Sequence, residues 1–128
     1  MPLTPDVAPW YVMADGFVLA SDIESLPRSI MEAMAHEVPV LTTDAGGARE
    51  LVDDGRTGFV CATCDVGALA AGLERLLDLT DAERRALVTA AARLVRERHD
   101  VSTYTARYER LLGGLAKDPG AAPHLLGS

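Results

Sequence analysis

At 128 residues and 13.6 kDa the chain fits one compact domain and leaves no room for two of ordinary size. Hydrophobic residues at 48% against 24% charged make a globular balance that excludes a mainly disordered or fibrous chain. With 12 Lys plus Arg against 19 Asp plus Glu, the formal charge of −7 lacks the basic footprint of a nucleic-acid binder.

The start, Met1-Pro2-Leu3-Thr4-Pro5-Asp6, has neither a basic stretch nor an apolar core. No secretory signal is therefore expected, and the cytoplasm, in solution or peripheral to a membrane, is the expected location. No apolar run reaches the ~18–20 residues needed to span a bilayer, so no transmembrane segment is expected. Val7, Trp10, Tyr11 and Ala14 recur at spacings of three and four, which predicts a short amphipathic helix over 6–14. The wholly apolar Phe17-Val18-Leu19-Ala20 reads as a strand buried on both faces, a pattern that a buried helical turn shares. The segment 27–35, PRSIMEAMA, begins with a proline at the expected first helical position and continues in good helix formers. Residues 38–43, VPVLTT, are β-branched and apolar, a second strand with its proline near the first residue.

Asp44-Ala45-Gly46-Gly47 is a predicted turn, 48–52 a single helical turn, Asp53-Asp54-Gly55 a bend, and Gly58-Phe59-Val60-Cys61 a third strand. Asp65 is a plausible N-cap for a helix with the stripe Val66, Leu69, Leu73, Leu76 and Leu77. Thr80-Asp81-Ala82-Glu83 fits a capping box opening a helix whose face is Leu87, Ala91, Leu94 and Val95. Ser102 is the expected cap of a last helix with the stripe Tyr104, Tyr108, Leu111, Leu112 and Leu115. The ordered domain is expected over 6–116, with 117–128, rich in proline and glycine, as a flexible tail.

Strands alternating with helices imply parallel pairing with right-handed crossovers, hence an α/β layered fold. Three short strands are about half of what a doubly wound sheet commonly has. In such a sheet the ligand crevice lies beyond the carboxyl ends of the strands, beside helix N-termini with unpaired N–H groups. Here that points to 21–27, after the first strand, and 42–47, after the second. Glu24 and Glu32 flank the start of the 27–35 helix, and carboxylates suit hydroxyl-rich ligands because they only accept hydrogen bonds. Arg28 is the only cation nearby. Spacing alone also allows a plain surface arrangement, with Arg28 and Glu32 as an exposed i,i+4 pair and Glu24 a solvated loop charge. The pair Gly46-Gly47 is either only a turn or a place where backbone approaches a ligand closely.

The linked motifs in 14–77 (ADGFVLAS, ESLPRS, MEAMA, VPVLTT, GGARE, GLERLL) resemble the later part of the C-terminal domain of retaining GT-B glycosyltransferases, the group 1 or family four enzymes. The resemblance runs from about Pro5 to Leu112 and includes the Glu-x7-Glu spacing as Glu24 and Glu32. It implies a partial Rossmann-like, three-layer fold with a parallel sheet of three strands and C-terminal helices, binding a nucleotide diphosphate sugar. It assigns the ribose hydroxyls to Glu32 and the transferred sugar to Glu24, as the catalytic residue. It also gives sugar and diphosphate oxygens to the main chains of Ser25, Leu26, Ser29 and Ile30, with Arg28, Gly46 and Gly47 completing the donor site. No metal or other cofactor is implied, since helix dipoles and basic residues balance the leaving diphosphate.

Three positions depart from the family pattern: Ala20 for a proline, and Ser25 and Glu37 for glycines. Family enzymes also carry an acceptor-binding N-terminal domain and an Arg and Lys pair on earlier strands, with no counterpart in these 128 residues. The resemblance therefore implies half a cleft, with transfer inefficient unless a second chain or self-association completes the sheet. The alternative is a non-catalytic interaction module or truncated remnant of the fold. Cys61-Ala62-Thr63-Cys64 is a CxxC open to a redox or half-zinc reading, although His36, His99 and His124 lack finger-like spacing. In the family, loop prolines often stand at these cysteine positions. Trp10, Tyr11, Tyr104 and Tyr108 fall on apolar stripes and are expected in a core or interface.

Overall fold

The computed structural model describes residues 7–99. The order is α1 (Ala8–Met13), β1 (Phe17–Leu19), α2 (Arg28–Ala35), β2 (Val40–Thr43), α3 (Ala48–Leu51), β3 (Phe59–Cys61), α4 (Val66–Leu77) and α5 (Asp81–His99). Each element predicted before residue 100 is present, whereas the helix expected after Ser102 and the tail lie outside the described residues. The strands form a parallel sheet in the order β1-β2-β3, as the α/β reading requires.

Register places Phe17 beside Val40 and Leu41 beside Phe59. Side chains alternate across a strand, so Val40 meets Ile30, Ala33, Met34, Ala48 and Leu51 on one face, while Leu41 and Phe59 meet Leu76, Leu87 and Val88 on the other. Helices α2 and α3 thus cover one face and α4 the other. Helix α5 supplies both clusters, Ala91 to the first and Leu87 and Val88 to the second.

Two helix starts follow their sequence signals. The Asp65 carboxylate accepts from the Ala68 N–H at 2.9 Å. Thr80 and Glu83 close a reciprocal capping box, Thr80 N–H to Glu83 Oε2 at 2.9 Å and Glu83 N–H to Thr80 Oγ1 at 3.3 Å. The Thr80 hydroxyl and N–H hold the Glu83 carboxyl below the usual carboxylate range.

The predicted α4 stripe is corrected. Leu76 is buried and Leu69 packs beside it, but Val66, Leu73 and Leu77 are exposed. The buried face runs through Gly72, where an added Cβ would stand 2.7 Å from Leu41 Cδ1. A residue without a side chain lets α4 approach β2, and a stripe drawn only through large apolar residues misses it. Pro27 is likewise displaced by one position: it is extended (φ −74°, ψ 103°) at the N-cap, and Arg28 is the first helical residue.

Helix α2 ends in a Schellman motif, with Glu37 N–H on Met34 O at 3.1 Å and Val38 N–H on Ala33 O at 3.0 Å. The motif needs a left-handed residue, and Glu37 takes it at φ 59°. The glycine geometry is therefore kept with a glutamate in place. Glu37→Gly is expected to raise unfolding stability by about 1 kcal/mol, by removing Cβ strain at an exposed site. Denaturant titration should show a higher midpoint at unchanged slope. A midpoint equal to or below that of the wild type would show that the strain is absent.

Candidate functional site

The carboxyl ends of the three parallel strands carry the loops 20–27, 44–47 and 62–65 to one end of the sheet. The first is tied down by β2: the Thr43 hydroxyl donates to the Ser21 carbonyl, and the Thr42 hydroxyl donates to Leu19 O at 3.3 Å. Ser21 passes this order on, its Oγ donating to Glu24 Oε1 at 2.9 Å. Strand-end Ser and Thr hydroxyls are the signal that reading for carboxylates alone overlooked.

Gly46 and Gly47 have a definite job in this geometry. An added Cβ on Gly46 would collide with the carbonyl oxygen of Glu24, and one on Gly47 with that of Ser25. Gly47 N–H also donates to Glu24 O at 3.3 Å, and Gly46 has φ 50°. The close approach expected of the diglycine is thus to the chain's own loop, and it locks 24–25 against 46–47.

Of the other predicted residues, Ser25 and Arg28 are exposed, Leu26 is 38% exposed, and Ser29 and Glu32 are partly buried. Ile30 has a fully buried side chain, and its N–H, expected to face a ligand, donates to Pro27 O at 3.2 Å in this structure. The Arg28 and Ser29 N–H groups have no protein acceptor among the described residues. Arg28 and Glu32 form no ion pair, so the exposed i,i+4 pair that the spacing allowed is not made.

Glu32 has another partner. The Tyr11 hydroxyl, from α1, donates to Glu32 Oε2 at 3.2 Å, with a longer branch to Ser29 O at 3.4 Å. The tyrosine expected in a core or interface packs against the first core cluster, and its hydroxyl reaches the candidate site. Burial, followed by the adjacent Glu32 charge and hydrogen bond, pushes the Tyr11 phenol above its ordinary range.

Both cysteines are free. Burial raises the Cys61 thiol, and a 3.4 Å hydrogen bond to Asp22 raises Cys64, so neither is activated as a redox nucleophile would be. Among the described residues no three His, Cys, Asp or Glu side chains gather as a metal site, and no helix is long and apolar enough to cross a membrane. A groove of about 840 Å³ between the 55–59 segment, α4 and α5 lies at the opposite end of the sheet and contains none of the candidate residues.

With this geometry in place, comparison with known proteins is decisive for the family. The sequence profile of the glycosyl transferases group 1 matches residues 2–79. The chain belongs to that family. It is 40% identical over 81 residues to the glycogen synthase of Mycobacterium tuberculosis, covering 63% of this chain and 20% of that protein. To the sulfoquinovosyl transferase of Arabidopsis thaliana it is 34% identical over 93 residues, or 70% of this chain and 18% of the relative. The chain thus spans about a fifth of the length of these curated relatives. A glycosyltransferase from Rickettsia africae superposes with a TM-score of 0.85 at 23% identity, over 90% of this chain and 31% of that one. HepE of Anabaena, solved with UDP, gives 0.78 at 28% identity, over 83% and 29%. These neighbours are GT-B glycosyltransferases, and the fold of this group 1 chain is part of theirs.

If the diglycine lock sets the position of the Glu24 loop, Gly47→Ala should cost about 1–3 kcal/mol, the usual price of overpacking. Amide NMR shifts should change chiefly at 21–27 and 44–47. A stable variant with unchanged shifts there would show that the two loops are not in contact.

Proposed function

We propose that this chain forms the donor-binding part of a retaining glycosyltransferase that uses a nucleotide diphosphate sugar. Glu32 accepts from the ribose hydroxyls and Glu24 from the transferred sugar. Main-chain N–H groups of Ser25, Leu26, Arg28 and Ser29, with the Arg28 guanidinium, face sugar and diphosphate oxygens, and no metal is required. The observation that carries this reading is the placement of two carboxylates around the N-terminus of α2, with its first N–H groups free of protein acceptors, at the carboxyl end of a parallel sheet. Family membership and the UDP and UDP-glucose complexes of HepE support the ligand class. The reading assigns donor recognition to these residues and leaves the transfer step to the cationic and acceptor-binding groups that complete the cleft.

Calorimetric titration with UDP, GDP and their sugars tests it. Saturable binding is expected, with Glu32→Ala weakening it at least about tenfold, the scale of one lost hydrogen-bonding charge. A folded wild-type protein that binds none of them up to about millimolar concentration would overturn the reading.

A second reading rests on the surface around β1. Among the described residues β1 pairs with β2 alone, and Trp10, Val12, Met13, Val18 and Ile23 are exposed. A free parallel edge beside apolar side chains favours association with a second polypeptide or copy. Sedimentation at increasing concentration should then show reversible self-association, whereas a monomer throughout would argue against that face as a contact between copies.

A further inference from the structure

Helix α1 has no fully buried residue, and Trp10, Val12 and Met13 are exposed. Its inward contact is Tyr11, whose ring stacks on His36 (centroids 5.4 Å apart, planes at 21°) and meets Phe17 at 5.8 Å. A phenylalanine would satisfy this packing. The hydroxyl adds only its bonds to Glu32 Oε2 and Ser29 O, two groups on the first turns of α2. Glu32 Oε1 has no protein donor among the described residues, and Oε2 keeps a second lone pair. His36 Nδ1, 2.8 Å from the Glu32 carbonyl oxygen, donates to the same residue's main chain.

Resting on the donor-site reading above, we propose that Tyr11 is the positioning residue of this site. It fixes the carboxylate plane of Glu32, so that Oε1 and the open lone pair of Oε2 meet a vicinal diol together, as on the ribose of a nucleoside diphosphate. A carboxylate binds two adjacent hydroxyls well only when both oxygens are presented at once. An unheld glutamate would give up rotamer freedom on binding, and Tyr11 removes part of that cost in advance. The phenol is raised first by burial and then by the Glu32 charge and hydrogen bond, and the second part agrees with a carboxylate at this distance. Among the described residues the titratable side chains in contact with Tyr11 are Glu32, at its hydroxyl, and His36, on its ring.

The test titrates UDP and 2′-deoxy-UDP into wild type, Tyr11→Phe and Glu32→Ala. Tyr11→Phe is expected to weaken UDP about tenfold and 2′-deoxy-UDP distinctly less, so that the preference for the intact diol shrinks. Equal loss for both ligands, or no loss, overturns the positioning role. Binding of UDP that Glu32→Ala abolishes and Tyr11→Phe spares removes this inference and leaves the donor-site reading intact. Wild-type protein that binds neither UDP nor GDP, or binds them regardless of Glu32→Ala, removes both; a protein that binds GDP alone is titrated with GDP and 2′-deoxy-GDP in the same design. A ligand-free arm follows phenolate absorbance, with Tyr11 isolated as the difference between wild type and Tyr11→Phe. Its titration should lie above the ordinary range and fall in Glu32→Gln, whereas identical curves in the two proteins would show that the contact is absent.

Discussion

Strand β2 has a neighbour on each edge and a helical layer on each face, and all four of its residues are buried. A strand so enclosed can carry polar side chains only where they find internal partners, and Thr42 and Thr43 find theirs on the chain leaving β1. The need to satisfy two buried hydroxyls therefore fixes the first loop of the candidate site. From there the order passes through Ser21 to the Glu24 carboxylate, and the diglycine after β2 seals the loop from the other side. The site is an extension of the central strand's hydrogen bonding.

Much of the fold was legible because its signals are local. A capping box, an N-cap aspartate, β-branched runs and an alternation of strand with helix each act within a few residues. The two carboxylates were also legible, since Glu24 and Glu32 stand where a strand end meets a helix start. What stayed hidden depends on partners distant in sequence. The buried face of α4 passes through Gly72 because Leu41 lies beneath it, and nothing in the helix's own pattern marks a glycine as core. Arg28 stands four residues from Glu32, yet the carboxylate is held by Tyr11, 21 residues earlier. Ile30 was expected to offer an N–H that the Pro27 carbonyl has already taken.

Glu37 shows where local chemistry and global geometry conflict. The helix end is set by the Schellman hydrogen bonds and by the burial of Ala33 and Val38 in one cluster, so the backbone keeps its left-handed turn whatever residue occupies it. Tertiary packing outweighs about 1 kcal/mol of local strain here. Packing also accounts for Val18, which is 42% exposed: α4 lies mainly over β2 and β3, and Val18 stands on that face of β1 beyond the helix's main cover. In the association reading, that partly uncovered apolar residue belongs to the face met by a partner.

Charge decides how the donor-site reading divides its ligand. The partly buried carboxylates of Glu24 and Glu32 oppose a nearby phosphate, whereas Arg28 and the α2 dipole attract it, the dipole by about 0.3–1 kcal/mol. With Glu24 and Glu32 near one helix start and Arg28 as the cation on its first turn, these contributions oppose one another. On the donor-site reading the α2 N–H groups and Arg28 therefore hold the diphosphate only in part. Hydroxyl groups are different, because each carboxylate oxygen with an open lone pair gains a charge-assisted hydrogen bond without ionic opposition. On this balance the proposed recognition by these residues falls on the two polyol ends of the ligand, ribose and sugar. The strong cationic grip on the phosphates between them would belong to groups elsewhere in the completed cleft.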